Sequence, residues 1–215
     1  MENKYFSDRL RGFLFPYAVL HKMEEDLIFI FKCLWFLLPA ALSNHSASWG
    51  NSLPLPRLFK PLLRKLDIPI DLGHPLFGRN KTYRGFAVGI IVGILTAFLQ
   101  YLLYVSVPFI RNNTLIDYTK INYILVGFLM GFGALLGDLI KSFLKRRIGK
   151  RPGRPWFPFD QLDWILMSLI LTGIVYLPPL NYIIGTAVIY LGVHLCSDRF
   201  LQKMGIKKRE DVYKS

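Results

Sequence analysis

Between Gly85 and Val107 the chain runs for 23 residues without a charged side chain, and between Ile121 and Ile140 it runs for 20 with Asp138 alone. About 20 consecutive apolar residues in a helix match the roughly 30 Å hydrocarbon thickness of a bilayer. Three further stretches approach this pattern: Ile28–Leu42, which carries Lys32, then Gln161–Leu177 and Tyr182–Cys196. The last two flank Leu177-Pro178-Pro179-Leu180-Asn181, whose prolines end one helix and permit a reversal before the next. The expected fold is an all-α integral membrane protein of about five transmembrane helices. Residues 28–198 form one transmembrane domain, 1–27 an N-terminal extension and 199–215 a basic tail. A signal peptide is the competing reading of the first stretch, because Pro39-Ala40-Ala41 follows an apolar run. Glu24, Glu25 and Asp26 in the preceding segment speak against it, since a secretory n-region is short and basic.

The charge distribution orients these helices. Lys and Arg exceed Asp and Glu by 13, in a chain that is 53% hydrophobic. That apolar content excludes a disordered chain, and two cysteines exclude a disulfide scaffold. Segments 43–84, 141–159 and 197–215 carry seven, seven and six Lys or Arg, whereas 1–27, 108–120 and 178–181 carry four, two and none. The positive-inside rule therefore places the two long loops and the C-terminus in the cytoplasm, and an odd number of spans leaves the N-terminus outside. Basic loops beside anionic lipid account for the net charge. No zinc-finger, helix-turn-helix or aromatic RNA-binding pattern accompanies it, so no nucleic-acid partner is expected.

Within the spans, glycines recur four residues apart: Gly85, Gly89 and Gly93, then Gly127 and Gly131, and Gly133 and Gly137. Residues so spaced share a helix face and let backbones approach closely where lipid provides little drive for association. A dinucleotide fingerprint is excluded, because it must follow a strand and open a helix. The four histidines, at 21, 45, 74 and 194, have no metal-ligand spacing, and Cys33 and Cys196 form no paired motif.

Chemistry then has to come from the cytoplasmic ends of the helices. If the third span continues as helix, Asp138, Lys141, Ser142 and Lys145 share a face at offsets of three, four and seven, followed by Arg146 and Arg147. An ionisable residue so close to the bilayer needs partners and is a functional candidate, although simple pairing of Asp138 with Lys141 would also satisfy it. Asp160 and Asp163 open the fourth span three residues apart and can look towards Asp138. Three converging carboxylates among Lys and Arg suit Mg2+ carrying phosphates. The alternative makes Asp160 an N-cap and Asp163 a first-turn acid favoured by the helix dipole. The other loop offers Asp67, Asp71-Leu72-Gly73 and the run Phe77-Gly78-Arg79-Asn80-Lys81-Thr82-Tyr83-Arg84-Gly85. Glycine, ammonium and guanidinium at a helix N-terminus can hold a phosphate, or can simply hold lipid headgroups. The run is not a Walker A loop.

Taken in order, Asn44 after Leu38-Pro39-Ala40, Asp71-Leu72-Gly73, the Phe77-to-Gly85 run, Gly137-Asp138 with Ser142 and Lys145-Arg146-Arg147, and Asp160-Gln161-Leu162-Asp163 resemble the CDP-archaeol synthase family. The resemblance covers about residues 35–198. It implies a membrane cytidylyltransferase in which CTP and a lipid phosphate, 2,3-di-O-geranylgeranylglycerol 1-phosphate, give a CDP-activated lipid and pyrophosphate with Mg2+. A more distant likeness to CDP-diacylglycerol synthases rests on Ser142, Lys145-Arg146, Lys150, Asp160 and Asp163. Arg151 stands where that relative has an acid, and Pro155-Trp156-Phe157-Pro158 replaces its Gly-rich segment. Within the closer family, Tyr83 replaces a more usual Trp.

On this resemblance Asp138 and Asp163 hold Mg2+, with Asp160 a further ligand or a support. Lys81, Arg84, Lys145 and Arg146 neutralise triphosphate or lipid phosphate, while Asn44, Asp71, Thr82, Lys141, Ser142 and Arg147 complete the substrate pocket. A phosphatidic-acid acceptor is the alternative substrate. A small transporter or a scaffold is the alternative class, and both leave the order of the loop motifs unexplained.

Overall fold

The computed structural model describes residues 2–49, 65–71, 76–77, 81–150 and 156–203. Among them the chain is helical: α1 (Glu2–Trp49), α2 (Tyr83–Ser106), a short α3 (Pro108–Asn112), α4 (Tyr123–Arg147), α5 (Phe159–Thr172) and α6 (Leu180–Lys203). The one β feature among the described residues is an isolated bridge between Pro69 and Thr82. Expected segments Leu72-Gly73, Gly78-Arg79-Asn80, Arg151 and the tail beyond 203 lie outside the described residues.

Among the described residues four helical segments are long and apolar enough to cross a membrane: Val19–Ala47, Tyr83–Ser106, Tyr123–Arg147 and Leu180–Ser197. The first reaches beyond the expected 28–42 at both ends, and position 27 lies inside the continuous helix α1. Helix α5 has 14 residues, about 21 Å at the α-helical rise, and ends before the Leu177–Asn181 signal. The helix ends at the Gly173 cap, where the ladder tightens to three-residue bonds, Ile174 N–H to the Leu171 carbonyl at 3.2 Å and Val175 N–H to the Thr172 carbonyl at 3.0 Å. Pro178 and Pro179 then keep it from resuming, because proline disfavours helical backbone in the residue before it and clashes with the carbonyl four residues back. Turns at 173–175 and an irregular stretch at 176–179 complete the passage to α6. That passage runs from one end of the bundle to the other: α5 begins beside Lys145, whereas Tyr182 of α6 stacks on Phe29 with ring centroids 5.0 Å apart.

Helix α4 is the centre, packed against α1, α2 and α5, while α6 lies on α1 and α5. The glycine faces set these approaches. A Cβ at Gly93 would stand 2.8 Å from the Gly127 carbonyl, and one at Gly127 would stand 2.6 Å from Cα of Ile94. On the other side of α4, a Cβ at Gly133 would stand 2.8 Å from Cα of Ser168. Around these contacts Leu37, Ala40, Val126, Met130, Ala134 and Ile165 are buried. The outer surfaces of α2 and α6 expose Ile91, Leu95, Leu99, Ile184 and Val188, the inverse of a water-soluble surface and suited to lipid.

At the end far from Asp138, polar groups are tied to one another. Gln100, 2% exposed, donates to the Trp35 carbonyl at 2.5 Å and accepts from the Tyr118 hydroxyl at 2.9 Å. Tyr104 donates to Asp117 at 3.0 Å. These bonds clamp the α2–α4 connection, since a buried amide left unpaired in an apolar bundle is costly.

Candidate active site

The last three turns of α4 carry Asp138, Lys141, Ser142 and Lys145 on one face, as their spacing requires. Ser142 returns a hydrogen bond to the Asp138 carbonyl at 2.8 Å, the usual retreat of a serine inside a helix. The helix then closes with a Schellman cap: Lys150 N–H reaches the Lys145 carbonyl at 2.9 Å, Gly149 N–H reaches the Arg146 carbonyl at 3.2 Å, and Gly149 adopts φ +73°. Only glycine takes that conformation cheaply, so the chain leaves the helix there.

A second segment delivers Lys81. Residues 66–70 run antiparallel to 81–84 as a short strap, with Ile70 N–H to the Lys81 carbonyl at 2.8 Å, Tyr83 N–H to the Ile68 carbonyl at 3.1 Å and Arg84 N–H to the Leu66 carbonyl at 2.8 Å. Arg84 fastens the same strap through an ion pair with Asp67 at 3.2 Å. Thr82 caps α2, its hydroxyl accepting from Gly85 N–H at 3.1 Å. Asp71 turns back to accept from Phe77 N–H at 2.5 Å, and the Phe77 ring meets Phe143 of α4 with centroids 6.0 Å apart.

The third segment is the start of α5. Asp160 sits in its first turn while Pro158 occupies the cap position without a side-chain bond, so Asp160 is not the N-cap. Its carboxylate instead accepts from Trp156 N–H at 2.6 Å and takes both oxygens to the Lys145 ammonium, at 2.7 and 2.9 Å.

Together the segments form one chain of alternating charge. Lys81 pairs with Asp138 Oδ2. Lys141 Nζ lies 2.9 Å from Asp138 Oδ1, 2.9 Å from Asp163 Oδ2 and 3.6 Å from Asp160 Oδ1, and Lys145 closes the chain on Asp160. Three ammonium groups balance three carboxylates. The side chain of Asp163 is 6% exposed. Its Oδ1 is buried without a hydrogen-bond partner, and Lys141 approaches Oδ2 at ion-pair distance, off the direction of a hydrogen bond.

Six of the sequence candidates therefore meet: Lys81, Asp138, Lys141, Lys145, Asp160 and Asp163. Asp71, Thr82, Ser142 and Arg84 build the frame around them. Arg146 donates to the Lys150 carbonyl, and Arg147 lies over the Phe143 ring at 4.9 Å. Asn44 is half-buried on α1, and no hydrogen bond among the described residues joins it to the ion-pair chain. Asp67 was visible in the sequence, but its role as the Arg84 partner was not. No local spacing reports a contact between residues 17 apart in the chain.

The carboxylates converge in part, interleaved with lysines. Among the described residues no group of three His, Cys, Asp or Glu side chains is arranged to hold a metal. Mg2+ is ordinarily held by one or two carboxylates together with substrate phosphates, not by an all-protein cage. Asp138 and Asp163 fit that pattern: hard oxygen donors face a common point, and one buried carboxylate oxygen awaits a partner.

Comparison with known proteins follows the same lines. The family profile described as CarS-like, CDP-archaeol synthase, matches residues 26–211. A CDP-archaeol synthase of Methanocaldococcus jannaschii is 34% identical over 182 residues, covering 83% of this chain and 95% of that protein. One from Pyrobaculum arsenaticum is 31% identical over 189 residues, covering 85% and 98%. A solved structure, described as an intramembrane enzyme for archaeal membrane lipids biosynthesis, superposes with a TM-score of 0.54 at 25% identity over 79% of this chain and 94% of its own. Multi-pass membrane helices, a polar site at one end of the bundle and this extent of similarity agree: the chain belongs to the CDP-archaeol synthase family.

Proposed function

We propose that this protein transfers CMP from CTP to the phosphate of 2,3-di-O-geranylgeranylglycerol 1-phosphate, giving CDP-archaeol-type lipid and pyrophosphate. The observation that carries this reading is the chain of ion pairs from Lys81 to Asp160 at one end of an otherwise apolar bundle. A water-soluble triphosphate and a membrane lipid can meet only at such a boundary. Membership of the family supports the same reaction.

In the reaction a lipid phosphate oxygen attacks the α-phosphorus of CTP, a new P–O bond forms, and the bond to the β-phosphate oxygen breaks as pyrophosphate leaves. The attacking oxygen is already anionic near neutral pH, so positioning and charge neutralisation are the main demands on the protein. Lys81, Lys141 and Lys145 supply mobile ammonium groups for the phosphates. Arg84 and Arg146 stand at the rim for the lipid phosphate or triphosphate. Asp138 and Asp163 would hold Mg2+, which when bound polarises phosphoryl oxygens and offsets the charge developing on the leaving group. Asp160, held by Lys145 and Trp156 N–H, orients Lys145 and fixes the start of α5.

Sidedness follows from charge. Lys81 and Lys145 emerge at the same end of the bundle, in the two most basic loops, so that end faces the cytoplasm, where CTP is available. The passage from Asp160 through residues 173–179 to Tyr182 serves as the fifth crossing, the 14-residue helix α5 followed by a shorter non-helical part, which packs against Phe36 of α1 through Tyr176.

The test is lipid-extractable label from CTP labelled on its α-phosphate. Purified protein with Mg2+ receives either the geranylgeranyl ether phosphate or diacyl phosphatidic acid, and pyrophosphate is measured alongside. Label in the ether lipid with matching pyrophosphate is the expected result. Label only in phosphatidic acid transfers the reading to the diacylglycerol-type reaction. No label in either lipid, from folded protein, overturns cytidylyl transfer.

A further inference from the structure

Lys141 holds an unusual station for a lysine at an anionic-substrate site. Its ammonium is shared by carboxylates from two helices, at 2.9 Å from Asp138 on α4 and 2.9 Å from Asp163 on α5. Only 15% of the side chain is exposed. Asp138 and Asp163 are the residues that would hold a divalent cation, and one buried oxygen of Asp163 has no hydrogen-bond partner beside it.

Resting on the reading that these carboxylates receive a divalent ion, we propose that Lys141 is their internal counter-ion before that ion binds. It holds α4 and α5 together while no metal is present, and must leave for the metal to enter. Two carboxylates with no cation between them would repel across a dry helix interface, and the ammonium removes that repulsion. The same ammonium competes with an incoming metal ion, so metal alone binds weakly. A triphosphate changes the balance because it offers Lys141 another anion: the metal takes the carboxylates and the lysine takes the phosphates. Metal and nucleotide therefore favour one another through Lys141, and by linkage each raises the affinity of the other equally. Lys81, which reaches Asp138 from the strap that precedes α2, holds the same carboxylate from one side only and bridges no second acid among the described residues.

The test uses the full chain in detergent without nucleotide or lipid, with Mn2+ as the probe. Binding is read by the loss of the free Mn2+ electron paramagnetic signal, and stability by the melting temperature. Lys141→Met is expected to bind Mn2+ about tenfold or more tightly than the unaltered protein, whereas Lys141→Arg, which keeps the charge, binds it as weakly as the unaltered protein. Without metal, Lys141→Met should melt below the unaltered protein and recover most of that loss when Mn2+ is added; where it needs metal to survive purification, it is prepared in Mn2+ and the loss is read on dialysis. Adding Asp138→Asn to Lys141→Met should abolish both the tight binding and the recovery. Equal Mn2+ affinity in Lys141→Met and the unaltered protein, with a melting loss that Mn2+ does not restore, would make Lys141 a structural brace and overturn the inference. Absence of Mn2+ binding to every variant at millimolar metal, in the presence of CTP as well, would overturn the metal reading of Asp138 and Asp163 itself.

Discussion

A Cβ added at Gly137 on α4 would collide with the main-chain carbonyl of Asp163 on α5, so there is no space for a side chain between the two helices. This contact sets the distance from Lys141, one turn further along α4, to the Asp163 carboxylate. Packing and chemistry are thus joined at one residue: the small side chain brings α5 close, and the close approach puts a carboxylate within reach of α4.

Gly137→Ala should therefore separate α4 from α5 and move Asp163 away from Lys141. Overpacking of this kind costs about 1–3 kcal/mol, and transfer activity should fall by more than the loss of folded protein explains. Gly192→Ala on α6 is the control, because a Cβ there meets nothing within 4 Å. It should melt and turn over as the unaltered protein does. Melting curves and labelled-lipid assays on both variants check the pair, and equal behaviour of the two would remove the packing argument.

Asp138 is the hub of the ion-pair chain, joined to Lys81 and Lys141. Asp138→Asn keeps the shape and removes the charge, and is expected to lower turnover by about 100-fold or more, the scale of losing a preorganised electrostatic group. Lys81→Ala should lower kcat/KM for CTP by about 10- to 100-fold, as for a lost charged hydrogen bond of about 1.5–3 kcal/mol. A folded Asp138→Asn enzyme with full activity would refute the assignment of that carboxylate.

The Lys145–Asp160 pair is held at 2.7 and 2.9 Å with Lys145 largely buried. A double-mutant cycle of Lys145→Met and Asp160→Asn should give a coupling of about 0.5–3 kcal/mol in unfolding. In activity Lys145→Met should lose more than Asp160→Asn, since the first removes the ammonium that meets the phosphates and the second only loosens it. Strict additivity would show that the two groups act separately.

At the opposite end of the bundle, hydrogen bonds from the Thr119 hydroxyl, Thr119 N–H and Tyr104 hydroxyl hold the Asp117 carboxyl at about 2, below its ordinary 3.8. A carboxylate whose folded value is depressed stabilises the fold above its unfolded value, and that contribution is lost as pH falls through the folded one. The melting-temperature gap between the unaltered protein and Asp117→Asn should therefore be constant above about pH 5 and shrink between about pH 4 and pH 2. A gap that stays constant to pH 2 would show that Asp117 acts through shape alone.

Much of this molecule is local information. Gly85–Val107 and Ile121–Ile140 are legible as spans because lipid leaves a helix no other way to satisfy its backbone, so composition over about 20 residues is sufficient. The face carrying Asp138, Lys141, Ser142 and Lys145 is equally legible, because 3.6 residues per turn is a property of the chain alone. The four-residue glycine spacing identified the close-packed faces for the same reason, although not which helices they would meet.

What only the tertiary structure decided is the pairing. Nothing in the local sequence says that Lys81 answers Asp138, that Asp67 answers Arg84, that Lys145 takes Asp160 with both carboxylate oxygens, or that one ammonium bridges Asp138 and Asp163. Each carboxylate had several cations within reach along the chain, and electrostatic attraction has no sequence register. The choice is made by where the glycine faces let the helices dock, and by the Pro69–Thr82 strap that aims Lys81 at α4. The short α5 belongs to the same class: its apolar run extends to Leu177, yet the helix ends at the Gly173 cap, Pro178 and Pro179 keep it from resuming, and packing against α1 lets an irregular stretch finish the passage.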